Sequence, residues 1–258
     1  MAAILLDIDG VFHVSGQPIH GGANAVTRLR ADGHRLRFVT NSTTRSRDVL
    51  AEELRGLGLE LEDDEVETTP RAAARALAGK RVLALTMEAI RKDLEGVELV
   101  GEEAEAVLIG GADESPEETS RVFSYVNLAR AFAELEAGAE LFCLHKERWW
   151  QTSRGALLDA GAFVAGLEYA SGVQATVLGK PSAAFFGSAL EALDADPEQT
   201  WMVGDDVDSD IGGAKLCGLH AILVRTGKFR AETLARAVVR PDAIVDSIAD
   251  VPAILEGE

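Results

Sequence analysis

Two aspartates stand two positions apart near the start of the chain, in the motif Asp7-Ile8-Asp9-Gly10. Residues two apart on a β-strand point to the same side, so both carboxyl groups would face one point while Ile8 faces away. Paired carboxylates can bind a divalent cation, act as a nucleophile or transfer a proton. An isolated Asp-x-Asp-Gly is also a common turn signal, so its meaning depends on its surroundings.

Three further polar clusters follow short apolar runs: Thr40-Asn41-Ser42, Gly179-Lys180-Pro181 and the segment 204–210 with four aspartates. Each alone has a structural explanation, respectively a helix cap, an exposed lysine and a solvated loop. All of them, however, fall at the ends of predicted strands in one alternating pattern. Because ligands of open parallel sheets bind outside the carboxyl ends of the strands, we expect the clusters to meet at one sheet edge.

Other ligand-binding motifs do not fit this sequence. An EF-hand loop needs Gly at its sixth position and Glu at its twelfth, and neither acidic cluster has them. The Gly179-Lys180 pair lacks both the earlier glycine and the following hydroxyl residue of a P-loop. No GxGxxG follows a strand, so dinucleotide binding is not predicted.

Short apolar runs alternate with amphipathic ones, which predicts an α/β fold: a Rossmann-like, doubly wound parallel sheet with an inserted α/β cap domain. Helices are expected over 22–30, 45–57 and 69–77, as one long helix from Ser115 with a capping box to Glu118, and from Ser182. Strands are expected over 2–8, 36–40, 82–86, 106–109, 141–144, 175–178, 200–203 and 221–224.

The middle third of the chain has a strand–helix alternation of its own, and the alternation of the first third resumes after about residue 176. We therefore predict a discontinuous catalytic domain of residues 1–78 and 177–258, interrupted by a cap domain of residues 79–176. The strand at 175–178 is expected to lead back into the first sheet.

Charge and composition limit the partners of this chain. A net charge of −18 over 258 residues would repel nucleic acid and anionic lipid. The apolar runs are strand-sized and no signal peptide is apparent, which predicts a cytoplasmic protein without a membrane span. The two cysteines, Cys143 and Cys217, are distant in sequence and are predicted to be packed thiols rather than a disulfide or a zinc site.

The four clusters, in this order, resemble the signature of the haloacid dehalogenase superfamily of phosphatases, and the resemblance covers nearly the whole chain. The branch with a large α/β cap inserted after the second cluster is the most similar. This resemblance implies a Mg²⁺-dependent phosphohydrolase that acts on a small phosphorylated compound. The substrate class stays open among phosphomonoesters, pyrophosphate and phosphoamides.

The resemblance also implies roles for the acidic residues. Asp7 would bind Mg²⁺ together with the Asp9 backbone carbonyl and Asp205, and its other oxygen would attack phosphorus to form an aspartyl-phosphate. Asp9 would protonate the leaving group and later deprotonate water. Lys180 would provide a fixed positive charge to the phosphate and to Asp7. Supporting acids are expected in the fourth cluster: Asp210 or, failing that, Asp206 or Asp208 would orient Lys180 or a metal-bound water.

Phosphate oxygens would be bound by Gly10, Thr40, Asn41 and Ser42, the last three at the predicted start of a helix. In the cap, we hypothesise that one or more of His145, Lys146 and Arg148 contacts the non-reacting part of the substrate. The family resemblance further implies that two copies can associate as a homodimer.

Two alternatives remain open at this point. A phosphotransferase or phosphonatase could use the same aspartyl-phosphate, and turnover with water as the sole acceptor would distinguish it. A non-catalytic regulator of the receiver type could hold a lasting phosphate, but such a domain has no large insertion and would not need Asp9 as an acid.

Overall fold

The computed structural model describes residues 1–152 and 155–256. Its strands are Ala3–Asp7 (β1), His13–Val14 (β2), Gln17–Pro18 (β3), Arg35–Thr40 (β4), Val66–Thr68 (β5), Arg81–Leu85 (β6), Glu98–Leu99 (β7), Ala106–Ile109 (β8), Glu140–Cys143 (β9), Trp149–Thr152 (β10), Gly155–Leu158 (β11), Thr176–Val177 (β12), Thr200–Gly204 (β13), His220–Val224 (β14) and Ala243–Val245 (β15).

The α-helices are Gly22–Ala31 (α1), Arg47–Gly56 (α2), Thr69–Ala76 (α3), Pro116–Val122 (α4), Tyr125–Glu136 (α5), Ala160–Ser171 (α6), Ala183–Leu193 (α7), Gly213–Leu216 (α8), Ala231–Arg236 (α9) and Val251–Leu255 (α10). A π-helical turn, Val207–Gly212, precedes α8, and a 3₁₀ helix, Glu88–Asp93, follows β6. Among the residues described, no helix combines the length and the apolar character needed to cross a bilayer.

The first of two compact units consists of Met1–Thr40, Arg47–Glu67 and the segment from Lys180 onward. Its six-stranded sheet has the order β15-β14-β13-β1-β4-β5, and the pairings from β15 through β4 are parallel. The central strand β1 is apolar except for its last residue and is completely buried. Because it has a neighbour on each side and apolar cover on both faces, it reads as a continuous hydrophobic run.

The second unit consists of Asn41–Ser46 and Thr68–Gly179. Its five-stranded sheet is parallel throughout, with the order β12-β9-β8-β6-β7. The hairpin of β10 and β11 is antiparallel and lies outside that sheet. Two parallel sheets with helices between their strands confirm the predicted α/β class with a Rossmann-like core and a cap.

The placement predicted for the strand at 175–178 was wrong. It is shorter, β12, and it pairs with β9 of the second sheet instead of returning to the first. The pairing runs from Thr176 opposite Phe142 to Val177 opposite Cys143. A two-residue strand is too short for its periodicity to identify the sheet edge with which it pairs.

The predicted long helix from Ser115 is two helices, α4 and α5, separated at Phe123 and Ser124. The Ser124 hydroxyl accepts a hydrogen bond from the Asn127 backbone N–H (3.3 Å), which begins a new helix there. Asn127 in turn donates its amide to the last carbonyls of α4, Arg121 and Val122, at 3.0 Å each. Polar capping therefore interrupts a run whose apolar spacing alone predicts continuity.

The capping box predicted for α4 is half present. The Ser115 hydroxyl accepts from the Glu118 backbone N–H at 3.2 Å. The backbone N–H of Ser115 donates to the Asp113 carboxylate at 2.7 Å, so the reciprocal bond from Glu118 is replaced by a local turn.

Candidate functional site

Asp7 ends β1, the central strand of the first unit. The parallel register places Asp7 opposite Val39 of β4 and Leu6 opposite Val203 of β13. The residues that follow these two neighbours, Thr40 and Gly204, therefore reach the same edge of the sheet. The expected edge exists at the carboxyl ends of three adjacent strands.

Three aspartates converge at this edge. Ligand oxygens of Asp7, Asp205 and Asp210 all lie within 4.8 Å of one another, and the three side chains are buried. Two glycines permit the approach: a Cβ on Gly10 or on Gly227 would lie 1.9 Å from an Asp205 carboxylate oxygen. A side chain at either position would displace that carboxylate, so the backbone shapes the cluster.

Lys180 lies between two of these carboxylates. Its Nζ contacts Oδ1 of Asp7 and lies 2.7 Å from Oδ1 of Asp210. Burial would lower the pKa of Lys180, but the two adjacent carboxylates outweigh burial and raise it, so the lysine is a permanent cation. A buried ion triad of this kind needs every member, because removing one leaves an uncompensated charge.

Burial also affects the acids. It raises the pKa of Asp7 well above its ordinary value; Lys180 opposes this shift, and the negative charges of Asp210 and Asp205 add to it. Burial raises the pKa of Asp205 to about 6, against a hydrogen bond of 2.6 Å from the Lys228 backbone N–H. A divalent cation would reverse both shifts, because it stabilises the ionised carboxylates.

The other two acids of the fourth cluster are placed differently. Asp206 accepts hydrogen bonds from the backbone N–H groups of Asp208 and Ser209 at 3.0 Å each, as the cap of the π-helical turn. Burial opposes ionisation of Asp206, but these bonds and Lys228 lower its pKa overall. Asp208 is exposed. Of the three supporting acids predicted, Asp210 is the one that contacts Lys180.

Asp9 lies at the open side of the site, with its side chain 52% exposed. Its Oδ2 accepts a long hydrogen bond from the Thr40 hydroxyl (3.5 Å), and its Oδ1 is 3.6 Å from Nε2 of His13. The His13 ring is buried, and its backbone carbonyl accepts from the Gly10 N–H at 2.8 Å. The Asp9 carboxylate is therefore in contact with solvent and also lies next to two polar side chains, those of Thr40 and His13.

Sequence reasoning did not single out His13, Thr226 or Lys228. The Thr226 hydroxyl donates to the Gly10 carbonyl, and the Lys228 backbone binds Asp205. Thr226 and Lys228 follow the end of β14, so the rule that polar residues gather at strand ends could have found them. His13 belongs to the short hairpin β2–β3, which has no strong apolar pattern to reveal it.

The rest of the second cluster belongs to the second unit. Asn41 Oδ1 accepts a hydrogen bond from the Thr69 hydroxyl at 3.2 Å. Asn41 and Ser42 are both partly exposed. Thr40, one residue earlier, is buried in the first unit and contacts Asp9.

The three cap candidates have three different surroundings. His145 is buried, with Nε2 3.2 Å from the Thr43 hydroxyl and 3.6 Å from Oδ1 of Asp159. Lys146 forms an ion pair with Glu168 at 2.7 Å. Arg148 is exposed at the start of the β10–β11 hairpin.

Comparison with known proteins yields one consistent group. A family model described as haloacid dehalogenase-like hydrolase matches residues 4–100, and one described as HAD-hydrolase-like matches residues 177–251. A phospholysine phosphohistidine inorganic pyrophosphate phosphatase of Xenopus laevis is 40% identical over 262 residues, covering 98% of this chain and 94% of that protein.

Two solved structures are similar over most of the chain. The p-nitrophenyl phosphatase from Archaeoglobus fulgidus has a TM-score of 0.88 and 28% identity, with 98% of both chains covered. A glycerol phosphate phosphatase from Mycobacterium tuberculosis, in complex with magnesium, has a TM-score of 0.83 and 30% identity, with 96% of this chain and 75% of that chain covered.

Proposed function

The chain belongs to the haloacid dehalogenase-like hydrolases and is a phosphatase of that family, and on this premise we propose that it hydrolyses small phosphorylated compounds with Mg²⁺ through an aspartyl-phosphate on Asp7. The observation that carries the proposal is the buried cluster of Asp7, Asp205 and Asp210 with Lys180 between two of its members.

The donor set suits magnesium. Mg²⁺ prefers oxygen ligands, and carboxylates with oxygens within 4.8 Å of one another can share one ion. We assign the ion to Asp7, Asp205 and the backbone carbonyl of Asp9. When bound, it supplies positive charge that neutralises phosphate oxygens and aligns the phosphoryl group for in-line attack.

The first step transfers the phosphoryl group to the protein. An oxygen of Asp7 forms a bond to phosphorus while the bond from phosphorus to the leaving oxygen breaks. Asp9 gives its proton to that leaving oxygen, so the product departs as a neutral alcohol or its equivalent. Phosphate oxygens are held meanwhile by Lys180, Thr40 and the backbone N–H groups near Gly10.

The second step releases phosphate. Asp9, now ionised, removes a proton from water as the water oxygen attacks phosphorus, and the bond between phosphorus and Asp7 breaks. The exposed position of Asp9 suits this exchange, because its carboxyl meets water while Thr40 and His13 limit its movement. Lys180 remains charged throughout and, together with a bound divalent cation, would favour the ionised form of Asp7 for the next cycle.

The inserted domain is proposed to act as the cap, with residues 79–176 as its predicted limits. Closing a cap over the site would exclude water from the phosphoryl transfer and strengthen its charge interactions. One or more of His145, Lys146 and Arg148 is proposed to contact the non-reacting part of the substrate. Of the three, Arg148 is exposed, Lys146 pairs with Glu168 and the His145 ring is buried.

Replacing Asp7 tests the proposal. Asp7→Asn should lower kcat by about 10⁴-fold or more, because it removes the nucleophile. Phosphate release from a panel of phosphomonoesters, pyrophosphate and phosphoamides with Mg²⁺ gives the rate, and acid quenching of the unmodified protein should trap one phosphoryl group on the peptide that contains Asp7.

The exposed neighbour Asp208 provides the matched control, since Asp208→Asn makes the same chemical change outside the cluster and should leave the rate nearly unchanged. Full activity of Asp7→Asn, or a phosphoryl group on another residue, would contradict the proposal.

A further inference from the structure

The second unit contains a cleft of about 340 Å³ that has no part in the proposed reaction. It is bounded by the end of β6, the 3₁₀ helix that follows, the turn after β7, and helices α4 and α5. This volume lies within the range of small-molecule pockets, roughly 300–1,000 Å³.

The topology of the second sheet favours a binding site at this place. The chain leaves β6 toward β7 on one side and leaves β8 toward β9 on the other, and β6 and β8 are neighbours. Ligands of parallel sheets bind at the carboxyl ends of strands where the connections diverge in this way. Thr86, the residue after β6, lines the cleft at that point.

Three arginines from three different elements line the cleft. Arg91 lies on the 3₁₀ helix and pairs with Glu88 at 3.0 Å. Arg121 on α4 and Arg130 on α5 form no ion pair with any carboxylate of the described residues. Glu88 and Glu118 also line the cleft, so three arginines stand against two glutamates there, in a chain that has 43 acidic and 25 basic residues. A guanidinium offers several N–H donors arranged to bind carboxylate or phosphate.

Two polar side chains that line the cleft, Asn127 and Thr86, also favour a binding site here. Asn127 holds the end of α4 to the start of α5 through its bonds to the Arg121 and Val122 carbonyls, so the two helices that carry Arg121 and Arg130 are fixed together. The Thr86 hydroxyl is buried and has no hydrogen-bond partner among the residues described. A buried hydroxyl without a partner costs free energy, which a ligand atom in the cleft would recover.

We propose that this cleft binds a small organic anion with at least two acidic groups, held by Arg121 and Arg130 and reached also by Arg91. A phosphate ester and a polycarboxylate share this chemistry. The cleft shares no residue with the Asp7 cluster, because every residue that lines the cleft belongs to the second unit.

Calorimetric titration tests the proposal, with the full chain freed of divalent ions on a chelating resin and titrated in metal-free buffer without soluble chelator. Three probes separate the chemistries: citrate carries carboxylates alone, 3-phosphoglycerate carries a phosphate and a carboxylate, and inorganic phosphate carries neither a carboxylate nor an organic group. At least one organic probe should bind with a Kd below about 1 mM. Without the divalent ion, phosphate binding that depends on the Asp7 cluster is suppressed.

The double variant Arg121→Gln/Arg130→Gln should weaken that binding at least tenfold, roughly the effect of one charged hydrogen bond. Arg236→Gln, an exposed arginine on α9, is the matched control and should bind as the unmodified protein does. Thr86→Val, which removes only the hydroxyl, should weaken binding to a smaller extent.

Phosphatase activity of the double variant toward p-nitrophenyl phosphate should stay unchanged, and Asp205→Asn should keep the organic anion bound in metal-free buffer. No saturable binding of either organic probe, or equal affinity in the double variant, would overturn the proposal. Loss of binding in Asp205→Asn would also overturn it, because the anion would then belong to the first unit.

Discussion

Each unit contains a histidine and an aspartate at the same separation. In the first unit His13 Nε2 is 3.6 Å from Asp9 Oδ1, and in the second His145 Nε2 is 3.6 Å from Asp159 Oδ1. A threonine hydroxyl contacts one member of each pair: Thr40 contacts the aspartate Asp9, and Thr43 contacts the histidine His145. By residue type and by the histidine–aspartate distance the two groups are similar.

The carboxylates differ in what else they touch. The Asp9 side chain is 52% exposed, whereas that of Asp159 is 9% exposed. Oδ1 of Asp159 accepts the backbone N–H groups of Ala112 and Ala160 at 3.1 and 2.7 Å, and it caps the start of α6. A carboxylate committed to two backbone donors is held as an acceptor and is unsuited to proton transfer.

The different exposure and hydrogen bonds of Asp9 and Asp159 indicate that a histidine–aspartate pair at this distance has no fixed role. Access to solvent suits Asp9 to the proton transfer proposed for it, whereas backbone hydrogen bonds hold Asp159 between the end of β8 and the start of α6. The same substitution should therefore have opposite consequences in the two units.

The largest effect is expected at Asp9. Asp9→Asn should lower kcat by about 10²–10⁴-fold, the usual contribution of a general acid and base. The free energy of unfolding, measured by denaturant titration, should change little, because a half-exposed side chain loses few contacts. A large loss of stability with near-normal turnover would reverse the assignment of the two pairs.

Part of the site in the first unit could be predicted from the sequence, although His13 of the compared pair could not. Two acids at one strand end and polar residues after other strands predicted an edge where Asp7 and Asp205 lie together, because strand alternation and parallel topology are read from periodicity. Lys180 was predicted at the same edge, although the strand before it pairs in the second sheet. The family and the phosphatase class are confirmed by the relatives. The roles assigned to the site residues and to the cap residues stay predictions.

The second half of the comparison could not be predicted. Nothing in the neighbourhood of Asp159 distinguishes a buried N-cap from an exposed acid, because its partners, Ala112 and the Thr43–His145 contact, are distant in sequence. The same holds for the break between α4 and α5, which depends on the Asn127 side chain, and for the edge chosen by β12. Each is decided by tertiary contacts that have no periodic signal.

The second prediction is that Mg²⁺ binding depends on acids of the first unit and not on Asp159 of the second. If the folded cluster binds Mg²⁺ as proposed and the unfolded chain does not, Mg²⁺ at about 100 times its Kd should stabilise the protein by roughly 2.7 kcal/mol. Thermal melting with Mg²⁺ and with EDTA measures the effect. Asp205→Asn should remove most of the shift and Asp159→Asn should preserve it; an equal shift in both would place the ion elsewhere.

The metal effect should also depend on pH. Burial raises the pKa of Asp205 to about 6, so below that pH the carboxyl is increasingly protonated and protons compete with the ion. The Mg²⁺-induced shift should therefore grow as pH rises through about 6 and level off above it. A shift that is constant across this range would argue against Asp205 as a ligand.

At Asp159 the expected loss is one of stability. Asp159→Asn keeps one acceptor oxygen but removes the charge at the start of α6, and Asp159→Ala removes the cap as well. The alanine variant should lose about 1–3 kcal/mol, since it leaves buried N–H groups of Ala112 and Ala160 without a partner. Turnover at saturating substrate, well below the melting temperature, should remain near normal for both variants.

The smallest effect, and the sharpest test of the comparison, is expected at His13. If His13 positions Asp9 for proton donation, its loss should matter only when the leaving group needs a proton. His13→Phe should lower kcat/KM by about tenfold for an alkyl phosphate and by no more than about twofold for p-nitrophenyl phosphate, whose leaving group departs as a stable anion. His13→Gln, which retains a donor, should recover part of the loss. A merely structural role would lower kcat/KM equally for both substrates, as would a general loss of folded protein. The corresponding change in the second unit, His145→Phe, should show no such dependence on the leaving group, because the carboxylate beside it transfers no proton.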